Sequence, residues 1–163
     1  MLESVSSDKI NYIKINYLDM KKKITVAVSG YFNPLHVGHL EMIEKAKKLG
    51  DRLVAIVNND YQVKLKGSVP FMNQTDRIKI VSAIKHVDKV FLSIDRDASV
   101  CKSLVKIKPD IFAKSGDRNA SNIPEVGVCR RYNIKIVDKG LGKKIRSSST
   151  LIAEAAKKKA AKK

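Results

Sequence analysis

The sequence of 163 residues contains little cysteine and no tryptophan. Cysteine occurs only twice, at Cys101 and Cys129, and the two residues form neither a CxxC pair nor a disulfide framework. A small secreted domain held together by disulfides is therefore excluded, and a reducing, cytoplasmic setting is expected. A chain of this length buries enough of its own surface to fold as a domain without cross-links.

Long apolar runs are also missing from the sequence. No segment approaches the roughly 18 uninterrupted apolar residues that a membrane-spanning helix requires. The N-terminus lacks the apolar stretch of a signal peptide. The sequence therefore predicts no membrane insertion.

Acidic residues are scarce relative to basic ones, with 16 against 33 and a net charge of +17. Eight of the lysines lie in two runs, Lys21–Lys23 and the C-terminal tail, and the rest of the chain is still basic without them. An anionic partner is expected, and both nucleic acids and phosphorylated metabolites meet that description. Aromatic residues make up only 6% of the chain, and no stacking platform is visible. The basic charge keeps a basic nucleic-acid-binding module on a Rossmann-like fold as the alternative function, although the scarcity of aromatics argues against it.

The chain alternates between short β-branched segments and helical patterns. The predicted strands are Ile24–Val28, Leu53–Val57, Val90–Leu92, Ile111–Ala113 and Ile134–Val137. One helical stripe of four apolar residues ends at Gly50, where we expect a left-handed C-terminal glycine, and a second is opened by the capping residue Asn73. Weaker helices are predicted over Ser99–Lys106, over Pro124–Arg131 and from Ser149 onward. This pattern predicts an α/β, Rossmann-like open parallel sheet of about five strands with helices on both faces.

Composition divides the chain into three parts. Residues 1–23 are predicted to be an N-terminal extension, 24–152 the functional domain, and 153–163 a Lys/Ala-rich tail of low complexity.

The segment after the first predicted strand carries two histidines, His36 and His39, around Gly38. Neither a GxGxxG fingerprint nor a P-loop is present there. Side chains three residues apart lie on one face of a helix, Gly38 allows a ligand to approach the backbone, and a helix N-terminus attracts anions. The two imidazoles could donate hydrogen bonds to a phosphoryl group as its charge builds. A metal site is not predicted, because no cysteine or carboxylate completes a ligand set.

The run Gly30–His39 resembles the HxGH motif of the nucleotidyltransferase superfamily, in particular its cytidylyltransferase-like family. The likeness extends over most of the chain, from Ile24 to Ile152. Four further segments are similar to the family's pattern, in the right order: Lys66-Gly67 with Asp76-Arg77, Val87-Asp88, Lys108–Arg118, and Ser147–Ile152.

The resemblance implies a function. Members of the family join a nucleoside triphosphate to a phosphorylated small molecule and release pyrophosphate, with Mg²⁺ neutralising the triphosphate. It assigns His36 and His39 to the α-phosphate and the leaving group, and Lys66 to the developing charge. The loop around Lys66 is expected to fold over the bound triphosphate. The implied nucleotide-binding residues are Gly30, Tyr31, Phe32, Asn33, Gly38, Arg77, Asp117, Arg118, Arg146, Ser147, Ser148, Ser149 and Thr150.

Several points stay open at the level of sequence. Arg77 either pairs with a carboxylate such as Asp60 or reaches phosphate, and Asp117 with Arg118 either contacts the base or ribose or is simply solvated. Ser148 and Ser149 are expected to cap the last helix and face an anion. The nucleotide is CTP or ATP, and a homodimer is one of the assemblies that the sequence allows.

Arg146 marks a departure from the family's pattern. It stands between Ile145 and Ser147, where the Ser/Thr run usually follows directly on the isoleucine. The basic residue that meets the phosphates is therefore not fixed by the resemblance.

Overall fold

The computed structural model describes residues 22–114, 123–141 and 147–160. The strands are β1 (Thr25–Gly30), β2 (Arg52–Val57), β3 (Lys89–Leu92), β4 (Ile111–Ala113) and β5 (Lys135–Val137). The helices are α1 (Val37–Lys47), α2 (Asp60–Leu65), α3 (Gln74–Ser82), α4 (Cys101–Ile107), α5 (Glu125–Arg131) and α6 (Ser148–Ala160). None of the helices in these ranges is long and apolar enough to cross a lipid bilayer.

The five strands form one sheet in the order β3-β2-β1-β4-β5, and every neighbouring pair is parallel. The predicted fold class and all five predicted strands are confirmed. Chain order reverses at β1, which pairs with β2 on one side and with β4 on the other. Such a reversal opens a crevice beyond the carboxyl ends of the strands, where ligands of open α/β sheets bind.

Burial explains why the strands are apolar on both sides. Successive residues of β1 point to opposite faces, and Val26 and Val28 join a core with α1 and α3 while Ala27 joins a core with α4 and α5. All three residues are fully buried. A strand covered on both faces has no solvent side on which polar residues would be favoured.

Gly50 corrects one expectation about the first helix. Among the described glycines, only Gly67 and Gly140 have a positive φ, so Gly50 is not a left-handed cap. A Cβ at Gly50 would lie 2.8 Å from the carbonyl oxygen of Ile24 and from a methyl carbon of Val26. Glycine is required at this position because the backbone passes close to β1, and not because of its dihedral angles.

Two caps define the helices next to the site. The Asn73 side chain accepts a hydrogen bond from the Asp76 amide at 2.9 Å, which confirms the predicted cap of α3. The short helix α2 was not predicted, since six residues are too few to show a period. It begins with a capping box in which Asn59 accepts from the Gln62 amide and Gln62 accepts from the Asn59 amide.

Candidate active site

The chain leaves β1 through a tight, buried turn. Phe32 is only 1% exposed and has a φ of 49°, in the left-handed region that a bulky residue seldom adopts. A Cβ added at Gly30 would lie 3.0 Å from the Phe32 ring, so glycine at that position makes room for the ring. Phe32 in turn contacts the His39 ring, with 4.8 Å between centroids. Gly30 and Phe32 therefore shape the floor of the site from inside the core.

The two histidines lie together at the start of α1. His36 immediately precedes the helix, and His39 is in its first turn. Their rings stack with centroids 3.8 Å apart and an angle of 25° between planes. Gly38 lies between them in the same first turn, where α1 has no acidic side chain. The positive end of the helix dipole is therefore not neutralised by a side chain of its own helix, which favours an anionic ligand at this position.

The protonation state of His39 follows from its surroundings. Burial, the neighbouring His36 and the Lys66 charge together lower the pKa of His39 to about 3, and burial is the largest of the three causes. The backbone amide of His36 donates to Nδ1 of His39 at 3.3 Å. Since Nδ1 accepts a hydrogen bond, the neutral imidazole carries its proton on Nε2. His39 is thus a neutral hydrogen-bond donor before any substrate binds.

Lys66 follows the last residue of α2 and contributes the positive charge next to this pair. Its backbone amide donates to the Gln62 carbonyl at 3.2 Å, and its side chain is exposed. The Lys66 ammonium nitrogen lies 4.5 Å from the centroid of the Tyr31 ring. Tyr31, which the sequence assigned to the nucleotide, is therefore in contact with the predicted catalytic lysine.

Asn33 ties the segment after Lys66 to the histidine turn. Its side chain is 3% exposed, donates to the Val69 carbonyl at 3.0 Å and accepts from the amides of Phe71 at 2.6 Å and Met72 at 3.3 Å. These contacts orient Asn33 towards the protein, so the structure places it in a supporting position beneath the predicted nucleotide site. They also hold residues 69–72, which follow the Lys66 loop, against the turn after β1.

Arg77 forms the carboxylate pair that the sequence offered as one of two alternatives. Its side chain is fully buried and forms an ion pair with Asp60 at 2.6 Å. The same guanidinium donates to three carbonyls, those of Tyr31, Asn58 and Met72. The arginine thus joins the ends of β1 and β2 to the segment before α3, and its donors are directed to protein groups. This geometry favours the structural role over direct contact with phosphate.

The serine run begins α6 and contacts the histidine turn. The Ser148 hydroxyl donates to the Pro34 carbonyl at 2.9 Å. The cap is Ser147, whose hydroxyl accepts from the Thr150 amide at 3.2 Å and also lies 3.1 Å from the Ser149 hydroxyl. The expectation that Ser148 and Ser149 provide the cap is therefore wrong, because the helix starts one residue earlier than predicted. The run is nevertheless brought to the histidine turn, as the resemblance implies.

Three predicted nucleotide contacts, Asp117, Arg118 and Arg146, lie outside the described residues. Of the remaining predicted residues, those from Gly30 to His39 lie in the segment from β1 into α1, Lys66 and Arg77 contact Tyr31, and Ser148 of the serine run bonds to Pro34. Sequence reasoning missed α2, which places Lys66, although Asn59 followed three residues later by Gln62 was a readable helix start.

Comparison with known proteins identifies the family. The family model described as "Cytidylyltransferase-like" matches residues 27–155, most of the chain. The chain belongs to the cytidylyltransferase-like family. The resemblance inferred from the HxGH turn and the later motifs is therefore confirmed.

Relatives of this cytidylyltransferase-like chain include archaeal proteins named FAD synthase. The chain is 35% identical to the FAD synthase of Thermoplasma acidophilum over 95 residues, which are 58% of this chain and 66% of that protein. It is 38% identical to the FAD synthase of Archaeoglobus profundus over 96 residues, 59% of this chain and 60% of that protein. The match thus spans slightly less than two thirds of these two relatives.

A solved structure gives the same fold. The chain is similar to the lipopolysaccharide core biosynthesis protein of Thermoplasma volcanium, with a TM-score of 0.62 and 30% identity. The match covers 72% of this chain and 96% of that one. The solved structure therefore shares the fold of this cytidylyltransferase-like domain.

Proposed function

We propose that the chain is a nucleotidyltransferase, which moves a nucleotidyl group from a nucleoside triphosphate to a phosphorylated small molecule and releases pyrophosphate. The observation that carries this proposal is the stacked pair His36 and His39 at the N-terminus of α1, with Lys66 beside it. These three groups supply hydrogen-bond donors and positive charge, which stabilise the negative charge that develops on a phosphoryl group during nucleophilic attack. Membership of the cytidylyltransferase-like family supports the same reaction.

The residues would act by placing donors and charge, without a covalent intermediate. An oxygen of the acceptor phosphate attacks the α-phosphorus in line, the bond to the bridging oxygen breaks, and pyrophosphate leaves with the electron pair. The Nε2–H of neutral His39 would donate to an oxygen whose negative charge grows during the attack. Lys66 would place its ammonium against the same developing charge. Groups already oriented in a partly buried site need little reorganisation during the reaction.

The donor and acceptor are proposed from the relatives. FAD synthesis transfers AMP from ATP to FMN, and the chain is 35–38% identical to two proteins with that name. We therefore put forward ATP and FMN as the first substrate pair to test. CTP with another phosphorylated acceptor is the second choice within the same reaction class.

Magnesium enters this proposal as part of the substrate. The family indicates a divalent metal requirement, and the described residues contain no group of three histidine, cysteine, aspartate or glutamate side chains able to hold a metal ion. Mg²⁺ commonly binds through substrate phosphates with few protein ligands. We propose that it arrives with the triphosphate and neutralises part of its charge.

The test is pyrophosphate release by the purified full chain. Each of the four ribonucleoside triphosphates is supplied with Mg²⁺, with and without FMN, and the flavin product is separated by chromatography. We expect pyrophosphate and FAD only when ATP and FMN are both present. For the variant His39→Ala, the matched control is His86→Ala. His86 lies between α3 and β3, at the opposite end of the strands from the histidine turn. Pyrophosphate that requires CTP and another phosphorylated acceptor would retain the reaction class and replace the substrate pair.

A second measurement separates nucleotide binding from turnover. Each triphosphate at about 100 times its dissociation constant should add about 2.7 kcal/mol to the free energy of unfolding. No stabilisation by any triphosphate, together with salt-sensitive RNA binding, would contradict the transferase and favour the nucleic-acid-binding module.

We propose that the activity resides in residues 24–152, with 1–23 as an extension and 153–163 as a dispensable tail. Truncation after Ala156 should leave the rate of nucleotidyl transfer nearly unchanged, because the removed lysines lie beyond the serine run at the start of α6. The same truncation should reduce retention on a nucleic-acid column. Loss of transfer would instead place the tail in the active site.

A cytoplasmic location is part of the proposal. Its support is that Cys101 and Cys129 are both free thiols. Burial raises the pKa of each thiol, to about 11 for Cys129, so both are protonated near neutral pH. Protonated thiols react slowly with oxidants.

A further inference from the structure

Lys66 combines an exposed side chain with a task that requires a defined position. A lysine side chain on the surface samples many rotamers, and restricting it costs conformational entropy. The backbone of Lys66 is held by the end of α2, where its amide donates to the Gln62 carbonyl and the Gly67 amide donates to the Lys64 carbonyl. These bonds fix the start of the side chain and leave its charged end to be placed by something else.

The Tyr31 ring is the group that meets the charged end. The Lys66 ammonium nitrogen lies 4.5 Å from the ring centroid, within the range of a cation–π contact. Tyr31 is half-buried and directly follows β1, and its carbonyl accepts from the buried guanidinium of Arg77 at 2.7 Å. The ring therefore extends from a rigid part of the fold. A rigid ring under a flexible ammonium limits where the charge can go.

The position of the ring relates Lys66 to the histidines. Tyr31 is five residues before His36 in the same turn, and the Lys66 charge acts on His39. An ammonium held at Tyr31 is thus near the pair that receives the phosphates. We infer that Tyr31 is a positioning residue, whose ring holds the Lys66 ammonium beside the histidine pair in readiness for the triphosphate. This inference rests on the proposed role of Lys66 and replaces a direct nucleotide contact by Tyr31.

The first test observes the contact without any substrate. In proton NMR of the full chain, the ε-methylene resonances of Lys66 should be shifted upfield by the ring current of Tyr31. The shift should persist in Tyr31→Phe, which keeps the ring, and should disappear in Tyr31→Leu, which keeps only apolar bulk. Identical Lys66 resonances in the wild type and Tyr31→Leu would overturn the inference, whatever reaction the protein catalyses.

The second test links the contact to turnover by a double-mutant cycle. Tyr31→Leu should lower kcat about two- to fivefold, the range expected when a cation–π contact at a partly exposed site is lost. In a Lys66→Ala background the same substitution should cause no further loss, because there is no ammonium left to place. Tyr31→Phe should restore most of kcat in the presence of Lys66.

The outcomes separate the inference from the proposed function. Equal losses from Tyr31→Leu with and without Lys66 would show that Tyr31 acts on the substrate directly, and would overturn the positioning role. If no substrate pair yields pyrophosphate, the proposed function fails, and the NMR shift still decides whether the ring holds the lysine. A loss confined to the KM for the triphosphate, with kcat unchanged, would also contradict the inference.

Discussion

Replacing Arg77 by methionine should destabilise the fold markedly and thereby distinguish its structural role from a phosphate contact. Methionine retains much of the arginine side chain's length and apolar stem and removes every hydrogen-bond donor. The substitution leaves the Asp60 carboxylate without its ion pair and the carbonyls of Tyr31, Asn58 and Met72 without the guanidinium. The arginine side chain is fully buried, so water does not replace these bonds without rearrangement.

The size of the effect follows from those lost contacts. Removing one partner of a buried ion pair typically costs about 3–5 kcal/mol, and unpaired buried acceptors add to the cost. The Asp60 side chain is 32% exposed, so part of its charge is solvated and the lower end of the range applies. A loss of about 3 kcal/mol should lower Tm by roughly 6–12 °C in a domain of this size.

The assay is urea denaturation without nucleotide, with the free energy of unfolding obtained by linear extrapolation. Arg77→Lys keeps the charge but presents one nitrogen, so its loss should be intermediate. Asp60→Asn keeps an oxygen that can accept from Arg77 and should cost least. If Arg77→Met stays within about 1 kcal/mol of the wild type and instead abolishes triphosphate binding, the structural interpretation is refuted.

Three further predictions concern the site and the stability of the fold. Lys66→Ala should lower the rate of nucleotidyl transfer by about 100-fold or more with little effect on stability. Lys64→Ala, which removes a neighbouring exposed lysine, should have only a small effect on that rate. Similar losses of rate in both variants would indicate that the general charge of the loop assists the reaction. His39→Ala should reduce turnover far more than triphosphate affinity in steady-state and binding measurements, since the contact strengthens as charge develops, and a defect in binding alone would remove the catalytic role. The hydrogen bond from Lys47 lowers the pKa of Asp88, so the stability that this carboxylate provides is complete above the ordinary pKa and is lost as pH falls through the lowered one. Denaturation from pH 7 to 2 should therefore show the wild-type advantage over Asp88→Asn disappearing in acid, and an advantage that stays constant with pH would contradict this linkage.

The strands could be predicted well because burial on both faces produces a short, continuous apolar run in the sequence. Val26, Ala27 and Val28 are apolar without alternation, and each is fully buried by one of two helical layers. The Asn73 cap and the histidine pair were also predictable, because their partners lie within three residues along the chain. Local relations of this kind are visible in one sequence.

What could not be predicted depends on groups far apart in the chain. Asn33 bonds to residues 69–72, and Gly50 is required by the backbone of Ile24, so neither role has a local pattern. The pairing of Arg77 with Asp60 likewise involves a fully buried side chain, and the sequence does not display burial. Side chains assigned to the ligand by resemblance can therefore serve the scaffold beneath it.

The strands differ in length, and this difference determines which part of the sheet unfolds locally most easily. β1 pairs with β2 over six residues, whereas β4 and β5 have only three residues each. Short ladders are broken by smaller fluctuations, so amide hydrogens of β5 should exchange with solvent faster than those of β2. His36, Lys66 and Arg77 all belong to the segment from β1 to α3, which contains the longer β1–β2 pairing. Breathing of the β5 edge would therefore leave His36, Lys66 and Arg77 in their relative positions.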